Sequence, residues 1–418
     1  MRVAVLSVHT SPLARLGSHD SGGMNVYVRR LSEELGRFGV AVDVFTRRSD
    51  GHAPTVVDFG PNARLIHVKA GPARYVSKRD LLDYLPEFVS GVKRFGESVP
   101  DGYDLVHGHY YLSGWAGAVL AHCWQVPHVQ SFHTLARVKN SALPGAIAPE
   151  GAERIDIEAK VMASADRIIA TSPSDRQDMI RHYGAAPQRV SVIPPGLDLG
   201  LFHPLDRDAT KRALGLEGCR VVLFVGRMDR IKGLETLLRA ARELLSADAA
   251  LQLRVLIVGG DRQVRVVDDA SRELTRIRAL VRELGLLKTV KFVGPKEQHE
   301  LPAYYSAADV CAVPSYAESF GMVALEAMAC GTPVVASRVG GLISTIVDGE
   351  TGFLVSSHNP PEFARRVRQI LDDPGLQARL GKAGVEVAAG YRWPNVARQL
   401  EAAYRSLISL PVISQRAS

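Results

Sequence analysis

In this chain of 418 residues, short apolar, β-branched segments alternate with amphipathic helical segments. The series occurs twice, and this restricts the possible folds more than any other feature of the sequence. The apolar segments lie at 2–8, 41–46, 103–108, 128–133 and 166–172, and then at 220–226, 253–259, 290–294, 309–315 and 332–337. Such alternation is typical of parallel strands joined by helices. A Pro- and Gly-rich segment at 192–206 separates the two series. The sequence therefore predicts an α/β protein with two Rossmann-like domains, at 1–200 and 201–391, facing each other across a deep cleft.

Composition and cysteine use indicate a globular protein of a reducing compartment. Apolar residues make up 46% of the chain and charged residues 23%, which is ordinary for such proteins. Cys123, Cys219, Cys311 and Cys330 have no paired spacing, so neither a disulfide framework nor a zinc site is indicated. The chain enters a strand at once without signal-peptide features, and no segment has the apolar length of a membrane span. We therefore expect a cytoplasmic protein without a membrane span.

The distribution of charge bears on the partners of the protein. A net charge of +7 suits an anionic ligand and equally suits nucleic acid. Arginines and lysines are, however, scattered singly or in pairs among acidic residues, with no basic arm and no recognisable nucleic-acid motif. The pattern favours a solvated surface over a nucleic-acid interface.

Two adjacent glycines, Gly22 and Gly23, lie where the first helix is about to begin. Adjacent glycines cost chain entropy on folding, so they are usually kept where the backbone turns tightly or approaches something closely. One interpretation is a loop that merely caps the helix, and the other is close approach of a ligand. The pair alone does not decide between them.

Chemically capable side chains follow the predicted strands in both halves. In the first half they are His9, Gly22–Gly23, His107–Tyr110 and His133–Thr134, and in the second half they are Arg227, Lys232 and Glu318. Ligands of facing α/β domains bind at the carboxyl ends of the strands. We therefore expect these loops to line the cleft.

The segment ESFGMVALE, residues 318–326, predicts an anion site at the start of a helix. Ser319, Phe320 and Gly321 are expected to open that helix with free backbone N–H groups, which favour an anion. Glu318 and Glu326 are expected to project from nearly the same helix face. Two such glutamates are commonly solvated, but Glu326 lies in an apolar run where an unpaired charge is costly. The pair therefore favours a functional role.

Three single residues are ambiguous on their own. Arg227 and Lys232 are either solvated loop residues or a clamp for a diphosphate, which they suit because they follow a buried strand and precede a glycine. His133 is either a satisfied core histidine or a contact to a reacting sugar.

Taken together, the motifs resemble those of one enzyme family, the retaining nucleotide-sugar glycosyltransferases of the GT-B fold. The resemblance covers nearly the whole chain and rests on GGMNVY, HGHYYLSGW, SFHT, VIPPGLDLGLFHP, GRMDRIKG and ESFGMVALE. It implies two facing Rossmann-like domains, a UDP-sugar donor and a phosphorylated polyol acceptor. Within the family, the branch that is most similar transfers N-acetylglucosamine from UDP-GlcNAc to 1D-myo-inositol 3-phosphate, the first step of mycothiol biosynthesis.

The resemblance also implies roles for individual residues. Catalytic roles fall to His133, Arg227, Lys232 and Glu318. Donor contacts fall to Gly23, Arg227, Lys232, Lys296, Glu318, Phe320, Gly321 and Glu326. Acceptor contacts fall to His9, Asp20, Ser21, Gly22, Gly23, Met24, Asn25, Lys78, Tyr110, Thr134 and Arg154, with Lys78 and Arg154 holding the phosphate. Lys296 stands where the family pattern suggests an arginine near the uracil, and lysine lacks the planar arginine fork.

Further properties follow from the same resemblance. The leaving phosphate oxygen is expected to accept the proton of the acceptor hydroxyl, since no second carboxylate stands at double-displacement spacing. A helix at about 392–410 is expected to cross back onto the N-terminal domain. No cofactor is required for the chemistry, although the resemblance allows a structural Mg2+ held partly by backbone groups; the sequence shows no metal-ligand cluster. The oligomeric state stays open between a monomer and a homodimer.

Three alternatives remain at this stage. A glycosyltransferase of the sucrose-phosphate synthase type, or one using another UDP- or ADP-hexose, differs in its acceptor; GGMNVY and the set of Lys78, Tyr110, Thr134 and Arg154 speak against it. A nicotinamide-dependent oxidoreductase requires G-x-G-x-x-G after the first strand, where the sequence instead reads HTSPLARLGSHDSGG. A nucleic-acid binder predicts salt-sensitive binding to nucleic acid.

Overall fold

The computed structural model describes residues 1–14, 22–143, 149–260 and 269–409. The N-terminal domain contains eight strands: β1 Arg2–Leu6, β2 Ala41–Arg47, β3 Val56–Gly60, β4 Ala63–Val68, β5 Leu105–His109, β6 His128–Ser131, β7 Arg167–Ala170 and β8 Val190–Val192. They form one sheet in the order β3-β4-β2-β1-β5-β6-β7-β8. Every pair is parallel except β3 with β4, which is an antiparallel hairpin.

Helices cover both faces of this sheet. They are α1 Gly23–Arg37, α2 Leu85–Gly96, α3 Tyr110–Trp124, α4 Ala136–Ala142, α5 Ala152–Ser164 and α6 Pro173–Tyr183. Short 3-10 helices lie at Asp80–Tyr84 and Pro187–Arg189. One apolar cluster includes Phe88, Leu112 and Ile168 on one side, and another includes Val28, Leu31 and Val129 on the other. The central strands β1, β2, β5 and β6 are thus buried on both faces, as is typical of parallel sheets.

The C-terminal domain has a second, fully parallel sheet of six strands. The strands are β9 Arg220–Val225, β10 Leu253–Val258, β11 Val290–Gly294, β12 Val310–Val313, β13 Val334–Ser337 and β14 Gly352–Val355. Their order is β11-β10-β9-β12-β13-β14. The α/β fold of two parallel-sheet domains predicted from the sequence is therefore confirmed.

Helices again flank the second sheet. They are α7 Arg207–Leu214, α8 Leu234–Ala247, α9 Asp269–Glu283, α10 Leu301–Ala307, α11 Met322–Ala329, α12 Leu342–Thr345, α13 Pro360–Asp372 and α14 Pro374–Ala388. Short 3-10 helices lie at Arg230–Lys232 and Gln298–Glu300. Among the described residues, none of the helices is long and apolar enough to span a membrane.

The last helix, α15 Trp393–Ile408, packs on the N-terminal domain. Trp393, Leu400 and Tyr404 belong to the same apolar cluster as Val28 and Leu31 of α1. The two segments that cross between the domains are hydrogen-bonded to each other. The Leu197 N–H donates a 2.5 Å hydrogen bond to the Tyr391 carbonyl oxygen. Both crossings between the domains therefore run side by side.

The periodicity of the sequence did not predict four of the strands, namely β3, β4, β8 and β14. β3 and β4 form a hairpin around Pro61 and Asn62, and Asn62 has a φ of 52°, which a tight turn requires. β8 has three residues and β14 has four. Segments this short carry too few residues for an alternation to be recognised.

Candidate active site

The N-terminal half of the candidate site lies beyond the carboxyl ends of three neighbouring strands. His9 follows β1, Tyr110 follows β5, and His133 follows β6. Because β1 pairs with β5 and β5 pairs with β6, the three loops meet at one edge of the sheet. Tyr110 and His133 have φ values of 76° and 63°, a region that residues with a Cβ rarely adopt. Backbone strain of this kind is concentrated at functional sites.

Tyr110 is the centre of the residues predicted to bind the acceptor. Its ring centroid lies 4.6 Å from that of His9. The guanidinium carbon of Arg154 lies 4.8 Å from the same ring and the Lys78 ammonium nitrogen lies 5.6 Å from it, both within cation–π range. Burial raises the pKa of the Tyr110 hydroxyl, so it stays a neutral donor. The structure thus brings two cations to one aromatic ring.

Arg154 is buried, with 5% of its surface exposed. Its Nε donates to Glu158 Oε1 over 2.7 Å, and Nη2 donates to the carbonyl oxygen and hydroxyl of Thr134. Its Nη1 lies 2.9 Å from Glu150 Oε2. Burial works against the charged form, but Tyr110, Glu158 and Glu150 raise the pKa of Arg154, which is therefore a cation. Arg154 is consequently a buried, charged arginine and not a solvated surface residue.

The glycine pair occupies an open position at the start of α1. Among the residues that the structure describes, a Cβ added to either Gly22 or Gly23 meets no atom within 4 Å. The φ of Gly22 is −173°, which is extended backbone, so neither packing nor conformation demands these glycines. Asn25 holds the turn, since its Oδ1 accepts from the Gly22 N–H and its Nδ2 donates to Thr10 Oγ1. Open space in front of the pair favours close approach of a ligand over a mere cap.

The other predicted acceptor residues of this loop divide into two groups. Met24 is partly buried against the apolar clusters on both faces of the sheet. Asp20 and Ser21 lie outside the described residues.

Three histidines form a buried group behind the site. His109 Nδ1 lies 2.9 Å from His133 Nε2, within hydrogen-bond distance. Burial lowers the pKa of His133 to about 3, and burial together with the neighbouring histidines lowers the pKa of His109 well below its usual value. Both rings are therefore neutral, and one donates to the other. His107 links to the last helix, with Nδ1 2.6 Å from the Tyr404 hydroxyl.

The C-terminal half of the site is centred on an ion pair. The Lys232 ammonium donates a 2.6 Å hydrogen bond to Glu318 Oε2. Arg227, with its side chain 50% exposed, lies 3.4 Å from Asp229. Burial opposes ionisation of Asp229, but Arg227 and Lys139 of the N-terminal domain lower the pKa of its carboxyl. The positive charge of Lys139, which belongs to the N-terminal domain, thus acts on the loop that carries Arg227.

The prediction that Glu318 and Glu326 share one helix is wrong. α11 begins at Met322, with Gly321 as its N-cap at a φ of 100°, so Glu318 precedes the helix. A loop replaces the predicted first turn because Gly340 and Gly341 press against it. A Cβ on Gly340 would lie 1.9 Å from the Glu318 carbonyl oxygen, which accepts the Gly341 N–H over 2.8 Å.

Two features of this loop matter for an anion. The N–H groups of Ser319, Phe320 and Gly321 find no hydrogen-bond acceptor among the described residues. They precede the N-terminus of α11, where the Ala324 N–H donates to the Gly321 carbonyl oxygen over 2.9 Å, while the N–H groups of Met322 and Val323 have no partner within the helix. A backbone donor set is therefore present at this end of the loop.

Glu326 and Lys296 both have protein partners on the donor side. Glu326 is 8% exposed and accepts a 2.7 Å hydrogen bond from the buried Tyr305 hydroxyl. Burial raises the pKa of Glu326 to about 7, so its carboxyl is partly protonated at neutral pH. The Lys296 ammonium donates to Glu300 over 2.8 Å and lies 5.6 Å from the Tyr304 ring centroid.

The two halves of the site meet at Ser319. Its hydroxyl donates a 2.5 Å hydrogen bond to the His133 carbonyl oxygen of the N-terminal domain. Its own carbonyl oxygen accepts from the hydroxyls of Thr171 and Ser172, over 3.2 and 2.9 Å. The Lys232–Glu318 pair therefore adjoins the loop of His133 and Thr134, and through Thr134 the Arg154 guanidinium.

Sequence reasoning did not single out several residues that the structure brings to the site. They are Lys139, Glu150, Glu158, Asp229, Gly340 and Gly341. The spacing of four residues from Arg154 to both Glu150 and Glu158 was a usable signal for an ion-pair group, although Glu150 lies just before α5. The Gly340–Gly341 pair after β13 was a second signal, of the same kind as the Gly22–Gly23 pair.

A metal site was tested on the same residues. Within the described part of the chain, no three His, Cys, Asp or Glu side chains gather in an arrangement that holds a metal ion. No side-chain cluster there fits the structural Mg2+ that the resemblance allows, so no step below involves a metal.

Comparison with known proteins places both halves of the chain among glycosyltransferases. Residues 21–201 match the family described as Glycosyltransferase Family 4, and residues 206–387 match Glycosyl transferases group 1. The chain is 43% identical to the D-inositol 3-phosphate glycosyltransferase of Nocardiopsis dassonvillei, covering 97% of this chain and 94% of the relative. It is 44% identical to D-inositol 3-phosphate glycosyltransferase 2 of Catenulispora acidiphila, covering 99% and 97%.

Solved structures give a second line of comparison. The sucrose-phosphate synthase of Thermosynechococcus elongatus superposes with a TM-score of 0.90. It is 38% identical in sequence, and the alignment covers 98% of this chain and 99% of the synthase.

Proposed function

Because this chain belongs to the family of D-inositol 3-phosphate glycosyltransferases of the GT-B fold, we propose that it transfers N-acetylglucosamine from UDP-GlcNAc to 1D-myo-inositol 3-phosphate. The chain is a hexosyltransferase, and the proposal concerns its two substrates and the first step of mycothiol biosynthesis. One observation carries it: the buried Arg154 and the partly exposed Lys78 flank the Tyr110 ring, and this cluster is joined to a Lys–Glu pair by the Ser319–His133 contact. Such an arrangement suits a phosphorylated acceptor beside an anionic donor.

The donor is proposed to lie along the loop from Glu318 to Gly321. The N–H groups at 319–321 and the ammonium of Lys232 provide donors for the diphosphate, and Arg227 adds an exposed guanidinium. Glu318 holds Lys232 in place while still offering its second oxygen to a sugar hydroxyl. Glu326 and Lys296 are the proposed contacts to the ribose and the uracil, and Gly23 lets the N-terminal loop approach the donor from the opposite side.

The acceptor is proposed to lie over Tyr110. Lys78 and Arg154 bind its phosphate, while His9, Thr134 and the 20–25 loop hold the polyol. A phosphate bound here places the polyol near His133, which is the residue that touches the donor side through Ser319. His133 contributes its backbone and a fixed, neutral ring, since its Nε2 is already engaged by His109.

The proposed reaction retains the configuration at the anomeric carbon. The bond between that carbon and the diphosphate oxygen breaks, and a new bond to the acceptor hydroxyl oxygen forms on the same face. The departing phosphate oxygen takes the hydroxyl proton, so no protein base is needed. Lys232, Arg227 and the 319–321 N–H groups stabilise the developing charge on UDP, and the cleft positions the two substrates.

A second candidate is transfer to a hexose phosphate, because the sucrose-phosphate synthase named above is 38% identical with a TM-score of 0.90. That enzyme's name also implies a phosphorylated product, so a cation pair at Tyr110 suits both. The relatives named for inositol 3-phosphate are more similar in sequence, at 43% and 44% identity, and we therefore favour the inositol phosphate.

The experiment that tests the proposal is a substrate panel read by mass spectrometry. The purified protein is incubated with UDP-GlcNAc, UDP-glucose and ADP-glucose, each with inositol 3-phosphate, fructose 6-phosphate and free inositol. We expect a product with the mass of N-acetylglucosaminyl-inositol phosphate from one pair only. A product from fructose 6-phosphate in its place would establish the second candidate and overturn the first.

Three further properties are proposed from the family resemblance. They are a cytoplasmic location, a homodimer and a structural Mg2+ held partly by backbone groups. Light scattering of the purified protein tests the homodimer, and elemental analysis of the protein purified without chelator tests the metal. A monomeric mass would contradict the homodimer, and a protein without bound Mg2+ would contradict the metal.

A further inference from the structure

Arg154, which the proposed function assigns to the acceptor phosphate, already has all three guanidinium nitrogens engaged. Nε donates to Glu158, Nη2 donates to Thr134, and Nη1 lies 2.9 Å from Glu150 Oε2. A phosphate that binds an arginine in the usual bidentate way takes two N–H groups. One of the present partners must therefore give way before a phosphate binds.

Glu158 is a fixed partner. Its side chain is completely buried, and its carboxylate also accepts from the Ala136 N–H over 3.0 Å and from the Tyr183 hydroxyl. Separating Arg154 from it would leave a buried, uncompensated carboxylate, which is strongly unfavourable. Glu158 therefore anchors the guanidinium from the interior side.

Glu150 is an exchangeable partner. Its side chain is 26% exposed, and its Oε1 accepts a 2.5 Å hydrogen bond from the Lys139 ammonium. The Asn140 side chain pairs with the backbone N–H and carbonyl of Glu150, over 2.8 and 3.1 Å. The backbone of Glu150 is thus held, while its side chain can rotate away from Arg154 and keep Lys139 as its counter-ion.

The two cations that Glu150 bridges are already neutralised in the present arrangement. Lys139 and Arg154 are balanced by Glu150 and Glu158, and the Glu150 carboxylate bridges the two cations. A carboxylate in that position occupies the place that an incoming anion would take. A phosphate dianion binds Arg154 with charge-assisted hydrogen bonds of the same kind and can replace it.

We infer that Glu150 is an internal competitor for the acceptor's phosphate: its carboxylate bridges Lys139 and Arg154 and is displaced from Arg154 when the phosphate binds. This inference rests on the proposed function, because that function supplies the phosphate. It makes Glu150 a specificity-determining residue. An uncharged polyol hydroxyl brings no negative charge to Arg154, so it does not replace a carboxylate there.

Calorimetric titration of inorganic phosphate tests the inference without turnover. Saturating UDP is present throughout, so that phosphate does not bind at the donor position. We expect Glu150→Gln to bind phosphate about three- to thirtyfold more tightly than the wild type, since the competing charge is gone. Glu158→Gln should bind phosphate more weakly, because it removes the anchor. Glu153→Gln, an exposed glutamate of the same helix, is the matched control and should equal the wild type.

The outcomes are separable from those of the proposed function. Phosphate binding by Glu150→Gln and by Glu150→Ala that is no tighter than wild type overturns the inference, since Glu150 then orients Arg154 and does not compete. Tighter binding by both variants supports it whichever phosphorylated acceptor the substrate panel identifies. A protein that binds phosphate in this way but fails to use inositol 3-phosphate would overturn the proposed function alone.

Discussion

The hydroxyl of Ser319 in the C-terminal domain donates a 2.5 Å hydrogen bond to the carbonyl oxygen of His133 in the N-terminal domain. This contact joins the loop that carries Glu318 to the loop that carries Thr134. The donor and acceptor halves of the site are thus held together through two residues whose neighbours are the proposed substrate contacts. Closure of the domains over both substrates is expected to depend on it.

Removing the Ser319 hydroxyl tests that dependence. Ser319→Ala loses one interdomain hydrogen bond, worth about 1 kcal/mol, so kcat should fall roughly three- to tenfold without a change in the melting temperature of either domain. Small-angle scattering should show less compaction on addition of UDP than in the wild type. Ser344→Ala is the matched control, because the partner of the Ser344 hydroxyl among the described residues is the Gly341 carbonyl oxygen of its own domain. Equal kinetics and equal compaction for Ser319→Ala and the control would exclude a role in closure.

Lys232 is expected to stabilise the leaving diphosphate. Lys232→Ala should lower kcat by about a hundredfold or more, because the charge that develops on UDP in the cleft loses its nearest ammonium. The fold should survive, which a melting curve checks. Arg230→Ala, an exposed cation of the same 3-10 helix, should leave kcat unchanged. If Lys232→Ala stayed within a few-fold of wild type, the diphosphate assignment would be lost.

A substitution at Gly23 distinguishes a structural role of the Gly22–Gly23 pair from a role in ligand binding. Because a Cβ at this position meets no atom of the described part of the chain within 4 Å and α1 begins there, Gly23→Ala should leave the melting temperature equal or slightly raised. Donor kcat/KM should nevertheless fall at least about tenfold, since the methyl group occupies the space proposed for the donor. Gly51→Ala in a surface turn serves as the control. A lower melting temperature with unchanged kinetics would favour the capping interpretation.

Glu326 predicts a pH-dependent difference in stability. Burial raises the pKa of its carboxyl from 4.5 to about 7, so the folded state binds the proton more tightly than the unfolded state does. The free energy of unfolding of the wild type is therefore expected to fall by on the order of 2–3 kcal/mol as the pH rises from 4.5 toward 7, because the buried carboxyl then loses its proton. Glu326→Gln lacks this titration. Its melting temperature relative to wild type should climb between pH 5 and 7 and level off above 7; a difference that stays constant with pH would contradict the burial argument.

Much of the architecture could be predicted because local patterns of apolar and polar residues in the sequence determine it. The apolar segments located ten of the strands, and their carboxyl ends located His9, Tyr110, His133 and Lys232 on loops of the cleft. Loops that follow parallel strands gather at one edge whatever the details of packing. The two-domain α/β fold and the cleft residues therefore follow from periodicity and topology together.

The rest depended on packing that local patterns do not contain. The start of α11 moved to Met322 because Gly340 and Gly341, some twenty residues later, press against the Glu318 loop. The contact between Ser319 and His133 depends on how the two domains face each other. Burial of Arg154 between two glutamates depends on where α5 docks, although the i, i+4 spacing hinted at it.

We propose above that the N-terminal half of the site binds the phosphate of a phosphorylated polyol through Arg154, and a comparison of two acceptors tests this role of Arg154. The measurement is acceptor kcat/KM for inositol 3-phosphate and for free inositol, in the wild type and in Arg154→Ala, with UDP-GlcNAc as donor. A charge-assisted contact contributes roughly 1.5–3 kcal/mol, so the wild type should strongly prefer the phosphorylated acceptor and Arg154→Ala should lose about tenfold to a hundredfold with it. The donor KM should change little. Equal rates with the two acceptors, or an Arg154→Ala enzyme with unaltered acceptor kinetics, would contradict the account.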